Sequence, residues 1–132
     1  MKNLAGKFAI VTGAGKGIGE AIARRFVEEE AAGVAILEWD LALAEQTAKA
    51  LDPTGKKVIA VKCDVSDTEQ VKTAVEVVMA AFGRVDILVN NAGITRDRIF
   101  HKMTDEEWHA VINVNLNGVY NLCKYVVPAM RE

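Results

Sequence analysis

Thr12 to Gly19 reads TGAGKGIG and stands between the apolar run Phe8, Ala9, Ile10, Val11 and an amphipathic segment beginning near Glu20. The glycines of this stretch leave no Cβ between the main chain and a ligand. A phosphate can then reach the N–H groups of the first turn of a following helix, where aligned peptide dipoles favour negative charge. The chemistry implied is pyrophosphate binding. The spacing is G-x-x-x-G-x-G over Gly13, Gly17 and Gly19, since G-x-G-x-x-G would need glycine at Ile18. Glu20 after Gly19 excludes a Walker-type loop. The bland alternative is a tight connection between strand and helix.

Other side chains with chemistry stand further along. Tyr120 and Lys124, in YNLCK, match a Y-x-x-x-K spacing, and this loose match reads as a packing tyrosine and a surface lysine. His101 and His109 read as surface residues, with no second His or Cys at metal spacing, so no metal is expected. Trp39 and Trp108 read as packing or rim residues. Cys63 and Cys123 lack the spacing of a redox pair and read as buried free thiols of a reducing compartment.

These residues need elements to position them, and 132 residues suffice for one domain with a real core. At 51% hydrophobic and 26% charged, the composition is that of a soluble globular protein. A net charge of −2 and a pI near 5.7 offer no basic footprint for nucleic acid or an anionic membrane. The N-terminal apolar run is broken by Gly6 and Lys7, so neither a signal peptide nor a membrane span is expected, and the cytoplasm is the expected location.

After the glycine turn, Ile18, Ala21, Ile22 and Phe26 recur three and four apart, predicting a first helix that closes before Gly33. The run Val34 to Leu37 suits a strand covered on both faces. Asp40 can cap a second helix with Leu41, Ala44, Ala48 and Leu51 on one face, stopped by Pro53 and Gly55. A third strand is expected over Val58 to Cys63, then a capping box at Ser66 and Glu69 opening a helix that ends before Gly83. A fourth strand over Ile87 to Asn90 leads to a loop, a second capping box at Thr104 and Glu107, and a last helix running from about Asp105 toward Val127. The βαβαβαβα order predicts an α/β fold, a doubly wound parallel sheet of order 3-2-1-4 in three layers. The glycine turn then opens at the switch point between strands 1 and 4.

TGAGKGIG after the first strand, Asp64 after the third, NNAG at Asn90 to Gly93 after the fourth and NVNLNG at Asn113 to Gly118 in the last helix together resemble the short-chain dehydrogenase/reductase family. The resemblance covers residues 1–132 as one Rossmann-like NAD(P)-binding domain, corresponding to the N-terminal half of a typical member and ending before a fifth strand. GITRD at Gly93 to Asp97 and MTDEEW at Met103 to Trp108 look most like 3-oxoacyl-acyl-carrier-protein reductases and the related acetoacetyl-CoA reductases. The resemblance implies an NAD(P)-dependent oxidoreductase with a carbonyl or hydroxyl substrate, here a 3-oxoacyl thioester. It also implies an acyl carrier protein as a partner, a homo-oligomer, and no nucleic acid or membrane partner.

Carried over by position, Thr12, Gly13, Gly17, Ile18 and Gly19 match the pyrophosphate turn, Gly15 and Lys16 within the same stretch are further cofactor-binding candidates, and Asp64 and Val65 match the pair that meets adenine. Asn91, Ala92 and Gly93 belong to the segment that shapes the cleft floor. Asn115 matches the helix asparagine of the catalytic set, which holds a water in the proton relay. Glu38, about 20 residues past the turn at the end of the second strand, accepts ribose hydroxyls and repels a 2′-phosphate, which favours NAD. Lys16 pulls toward NADP, since a cation there can meet that phosphate, and the balance leans to NAD. Arg96 and Arg98 read either as loop charges or as contacts for the phosphate of a phosphopantetheine or CoA arm.

The family's chemistry needs a tyrosine acid/base, a lysine four residues on and a serine, in a segment expected beyond Glu132. The 132 residues alone are therefore expected to be inactive, as part of a longer reductase or a truncated product. The alternative reading is a noncatalytic nucleotide-binding module. A Rossmann-like methyltransferase is disfavoured, because NNAG and NVNLNG have no role there.

Overall fold

The computed structural model describes residues 2–132. The elements follow in the order β1 (Phe8–Thr12), α1 (Gly17–Glu28), β2 (Gly33–Glu38), α2 (Leu41–Leu51), β3 (Val58–Lys62), α3 (Thr68–Phe82), β4 (Ile87–Val89), a single 3-10 turn (Phe100–Lys102), α4 (Asp105–Ile112), a π-helical segment (Asn113–Asn117) and α5 (Gly118–Met130). The four strands form one parallel sheet in the order β3-β2-β1-β4, as the alternation of strand and helix predicts. The sheet is a Rossmann-like doubly wound one, and β4 pairs with β1 alone.

Both sheet faces are covered, which is why the strands read as unbroken apolar runs. Successive residues of a strand point to opposite faces. Val11, Val34, Ile36 and Val58 pack against Ala23 of α1 and Ala44 and Ala48 of α2. Ile10, Ala35, Leu37 and Val61 pack against Val71, Val75 and Val78 of α3 and Leu122 and Val126 of α5. Small alanines on one side let α1 and α2 approach the sheet edge from which the glycine turn emerges. On the other side, a Cβ at Gly118 would stand 2.6 Å from Val65 Cγ2, so α5 presses directly on the loop after β3.

Most helix ends follow local chemistry. Asp40 accepts from the Leu43 N–H at 3.2 Å, Thr104 and Glu107 form their reciprocal capping box, and α3 ends at Gly83 with φ 75°. The start of α3 corrects the expectation of a capping box at Ser66. The cap is Asp67, whose Oδ1 accepts from the N–H groups of Glu69 and Gln70 at 3.0 and 3.2 Å. Ser66 is taken up elsewhere, because its hydroxyl donates to Asp64 Oδ1 at 2.7 Å. The last helix also departs from a regular one, passing through the π segment around Asn115 before α5 resumes. Among the described residues no helix is long and apolar enough to cross a membrane, and no group of three or more His, Cys, Asp or Glu could hold a metal.

Candidate functional site

The pairing of β1 with β4 ends at Val11 and Val89, and beyond it Thr12 makes the connection. Its buried hydroxyl accepts from the backbone N–H groups of Asn91 and Ala92, both at 3.0 Å, and donates to Val89 O at 3.4 Å. Thr12 therefore supports the cleft from behind and does not line it. Gly13 follows with φ 63°, and an added Cβ would lie 2.8 Å from Ala92 Cα. Asn91 Nδ2 donates to Gly13 O at 3.1 Å, and a Cβ on Gly19 would stand 2.5 Å from that same nitrogen. The turn and the Asn91–Gly93 segment are thus in backbone contact, and a side chain at either glycine would force them apart.

Gly15 faces away from the cleft, sandwiched between two polar groups. Its N–H points at Glu38 Oε2 across 3.4 Å, and its carbonyl accepts from the Thr47 hydroxyl at 2.6 Å. Thr47, buried on α2, was not legible as a site residue, although a threonine between the alanines of an apolar stripe was its one signal. Helix α1 then begins at Gly17 with Lys16 as its N-cap and no side chain capping it. Its first turn borders the cleft at Gly17 and Ile18, and no side chain caps it, which leaves the dipole's positive end available to an anion.

A cleft of about 630 Å³ opens here, a volume suited to a cofactor-sized ligand. Of the residues expected at the site, Gly13, Lys16, Gly17, Ile18, Glu38, Asp64, Val65, Asn91, Ala92 and Gly93 line it. Thr12, Gly15 and Gly19 lie behind the wall, and Asn115 lines a second, smaller cavity next door. Glu38 is only 7% exposed at the end of β2, while Ile18 and Trp39 are 75% and 70% exposed along the cleft. Ile94 and Val114, which also line it, fall within GITRD and NVNLNG but carry apolar side chains that gave no chemical signal in the sequence.

Asp64 is held through one of its two carboxylate oxygens. Its Oδ1 accepts from both the N–H and the hydroxyl of Ser66, at 3.0 and 2.7 Å, and its own N–H donates to Gln70 Oε1 at 3.0 Å. Val65 is held from the far side, its carbonyl accepting from Asn121 Nδ2 at 2.9 Å. Cys63 between them and β3 is no nucleophile: burial first, then the negative charges of Asp64 and Asp67, push its thiol up to about 12.

Asn115 makes a two-point clamp. Its Oδ1 accepts from the Ile94 N–H at 2.8 Å and its Nδ2 donates to the Ile94 carbonyl at 2.9 Å. Tyr120 and Lys124 lie elsewhere on α5, lining neither cavity, with the ammonium 5.9 Å from the ring centroid. Tyr120 is 62% exposed, so the expectation of a packed tyrosine is corrected: it is a surface side chain stacked on a surface lysine. His101 and His109 are exposed.

The family model for short chain dehydrogenases matches residues 7–132. The chain is 42% identical over 129 residues to the 3-oxoacyl-acyl-carrier-protein reductase of Thermotoga maritima, covering 96% of this chain and 51% of that protein. It is 43% identical over 131 residues to the reductase of the same name from Escherichia coli, covering 98% and 52%. Among solved structures, the 3-ketoacyl-acyl-carrier-protein reductase of Brucella melitensis complexed with NADH superposes with a TM-score of 0.89 at 39% identity, over 96% of this chain and 51% of that one. A short chain dehydrogenase from Mycobacterium smegmatis superposes at 0.92 with 37% identity, over 98% and 54%. The chain spans about half the length of the curated relatives it matches. On the strength of a match that runs from β1 through α5, the chain belongs to the short-chain dehydrogenase family.

Proposed function

We propose that the cleft binds NAD or NADP and that the chain carries the cofactor site of a nicotinamide-dependent oxidoreductase acting on a 3-oxoacyl thioester. The observation that carries this reading is the uncapped N-terminus of α1 above a glycine turn too close to Ala92 to admit a side chain. The donor set fits a dinucleotide: N–H groups and a helix dipole for the pyrophosphate, and a buried acid at the end of β2 for a ribose. The NADH-bound relative and the names of the curated relatives support the cofactor and the substrate class.

When bound, the nicotinamide supplies a hydride to a carbonyl carbon or takes one from the alcohol, and a proton is exchanged at the oxygen. The residues here bind and orient. The N–H groups at Gly17 and Ile18 take the pyrophosphate, Glu38 accepts the ribose hydroxyls, and Asp64 and Val65 bound the adenine side. Asn91, Ala92 and Gly93 form the floor that Thr12 holds in place. Asn115 fixes the cleft edge at Ile94 and, by the family resemblance, holds a water of the proton relay. The burial of Glu38 in the cleft wall supports NAD over NADP, against the exposed Lys16.

A second reading, nucleotide binding without turnover by these 132 residues, is favoured by one observation. The Tyr120–Lys124 pair stands on the outer face of α5, away from the cleft, and cannot act as its acid/base. Titration with NADH, followed by nicotinamide fluorescence, tests the shared core of both readings. Saturable enhancement is expected, and its absence overturns both. Acetoacetyl-CoA added to the NADH complex then separates them, since NADH oxidation would favour the first and stable fluorescence the second.

A further inference from the structure

The last helix meets the cofactor cleft in two places. Asn115 holds Ile94, which lines both cavities and stands as the partition between them. Further along the helix, Asn121 holds Val65, which lines the cofactor cleft alone. Asn121 is 6% exposed, on the same buried stripe of α5 as Leu122 and Val126. A buried amide on an apolar stripe costs free energy unless its hydrogen bonds are made. Its partner is specific: Nδ2 donates to the Val65 carbonyl at 2.9 Å. That carbonyl and the Ser66 N–H are the two polar ends of one planar peptide unit. The N–H donates to Asp64 Oδ1 at 3.0 Å, and the Ser66 hydroxyl donates to the same oxygen at 2.7 Å. Asn121 thereby fixes the plane that aims the Asp64 carboxylate, leaving Oδ2 without a protein partner among the described residues. Gly118 lets the helix come this close, since a Cβ there would stand 2.6 Å from Val65 Cγ2.

We propose that Asn121 is a positioning residue for the adenine end of the cleft: through the Val65–Ser66 peptide it sets the direction in which Asp64 Oδ2 accepts from the 6-amino group of a bound adenine. The proposal rests on the cofactor reading above. Asp64 and Val65 line the cleft and Asn121 does not, so Asn121 touches no ligand and acts through the peptide alone. The last torsion of an aspartate rotates over a broad range unless hydrogen bonds fix it. If the peptide behind Asp64 turns, the carboxylate turns with it. The alternative role for Asn121 is packing, α5 held against the sheet as it is by Leu122 and Val126. The two roles separate in what they protect. Packing supports every ligand of the cleft equally, whereas an aimed carboxylate discriminates only at the atom it meets.

The measurement compares NADH with its hypoxanthine analogue, in which a 6-oxo group replaces the 6-amino group and presents an acceptor to the Asp64 carboxylate. Both are titrated by nicotinamide fluorescence, and they share pyrophosphate, riboses and nicotinamide. The wild-type chain should favour NADH by roughly tenfold, the discrimination of one charge-assisted hydrogen bond. Asn121→Leu removes the donor at similar volume and should bring the two affinities toward parity, with the loss falling on NADH. Gly118→Ala pushes on Val65 without touching the amide and should move the ratio the same way, which keeps the test open should the leucine variant fail to fold. In an Asp64→Ala background, Asn121→Leu should weaken NADH no further. Equal losses for both dinucleotides in Asn121→Leu, an unchanged ratio, or an additive loss in the double variant would assign Asn121 to packing and overturn the proposal. NADH binding without preference over the analogue in the wild-type chain sinks this inference alone, and absence of binding by either dinucleotide sinks the cofactor reading with it.

Discussion

The carboxamide of Asn115 and the backbone of Ile94 form a closed pair of hydrogen bonds, at 2.8 and 2.9 Å, between a helix and the loop after β4. Asn115 makes them from the middle of the π segment, the one place where the last helix leaves regular geometry. A π insertion changes the rotational phase of a helix and recurs at functional sites. Here it coincides with the residue that joins the helix to the partition between the two cavities.

Asn115→Leu keeps the volume but leaves both backbone groups of Ile94 without their partner. Because the pair is close to solvent, the expected loss is modest, about 1–2 kcal/mol in urea unfolding. Asn115→Asp would retain the acceptor alone and should fall between wild type and the leucine variant. Equal stability of all three would show that water replaces the clamp at no cost.

Gly17 and Gly19 should respond differently to alanine. Gly17 has φ 63° with open space around an added Cβ, so Gly17→Ala carries only conformational strain, about 1 kcal/mol. At Gly19 the methyl would stand 2.5 Å from Asn91 Nδ2, forcing the turn off the cleft floor. Gly19→Ala should therefore lose NADH affinity by more than tenfold, about 1.4 kcal/mol or more, with helical circular dichroism retained. Unchanged NADH affinity in the folded Gly19→Ala protein would remove the turn from the proposed site.

Glu38→Ala removes the buried acid beside Gly15 and leaves the cation of Lys16 on the cleft lining without it. NADPH affinity should rise relative to NADH, read as the ratio of the two dissociation constants in parallel titrations. Glu38→Gln, close in shape, should move the ratio the same way if charge repulsion is the cause. A ratio unmoved in both would take Glu38 out of cofactor selection.

Asp52 organises the turn between α2 and β3. The hydrogen bond from the Thr54 hydroxyl, then the N–H groups of Lys57, Val58 and Thr54, bring its carboxyl from an ordinary 3.8 to about 2. A depressed acid stabilises the fold where it is ionised, so this contribution is present above about pH 4 and is lost as pH falls toward 2. Asp52→Asn should lower the urea midpoint at pH 6 and lose that deficit progressively between pH 4 and 2. A deficit that persists unchanged at pH 2 would show that geometry, and not the charge, is what the turn requires.

The strand and helix order, the doubly covered sheet and the position of the glycine turn were determined by the sequence itself. Apolar runs at Phe8–Thr12 and Gly33–Glu38, three-and-four spacing in α1 and α3, and the caps at Asp40 and Thr104 are contacts among neighbours along the chain, which local pattern encodes. Which way each side chain of the site faces was decided only by the tertiary structure. Thr12 turns its hydroxyl to Asn91 and Ala92, roughly eighty positions away, and Gly15 is consumed by Glu38 and Thr47. Asp67 displaced Ser66 as a cap because Asp64, placed by the end of β3, had already claimed the Ser66 hydroxyl. Buried polar groups must find partners, and at a sheet's carboxyl edge those partners come from strands and loops distant in sequence, so their pairing exists only once the sheet has assembled.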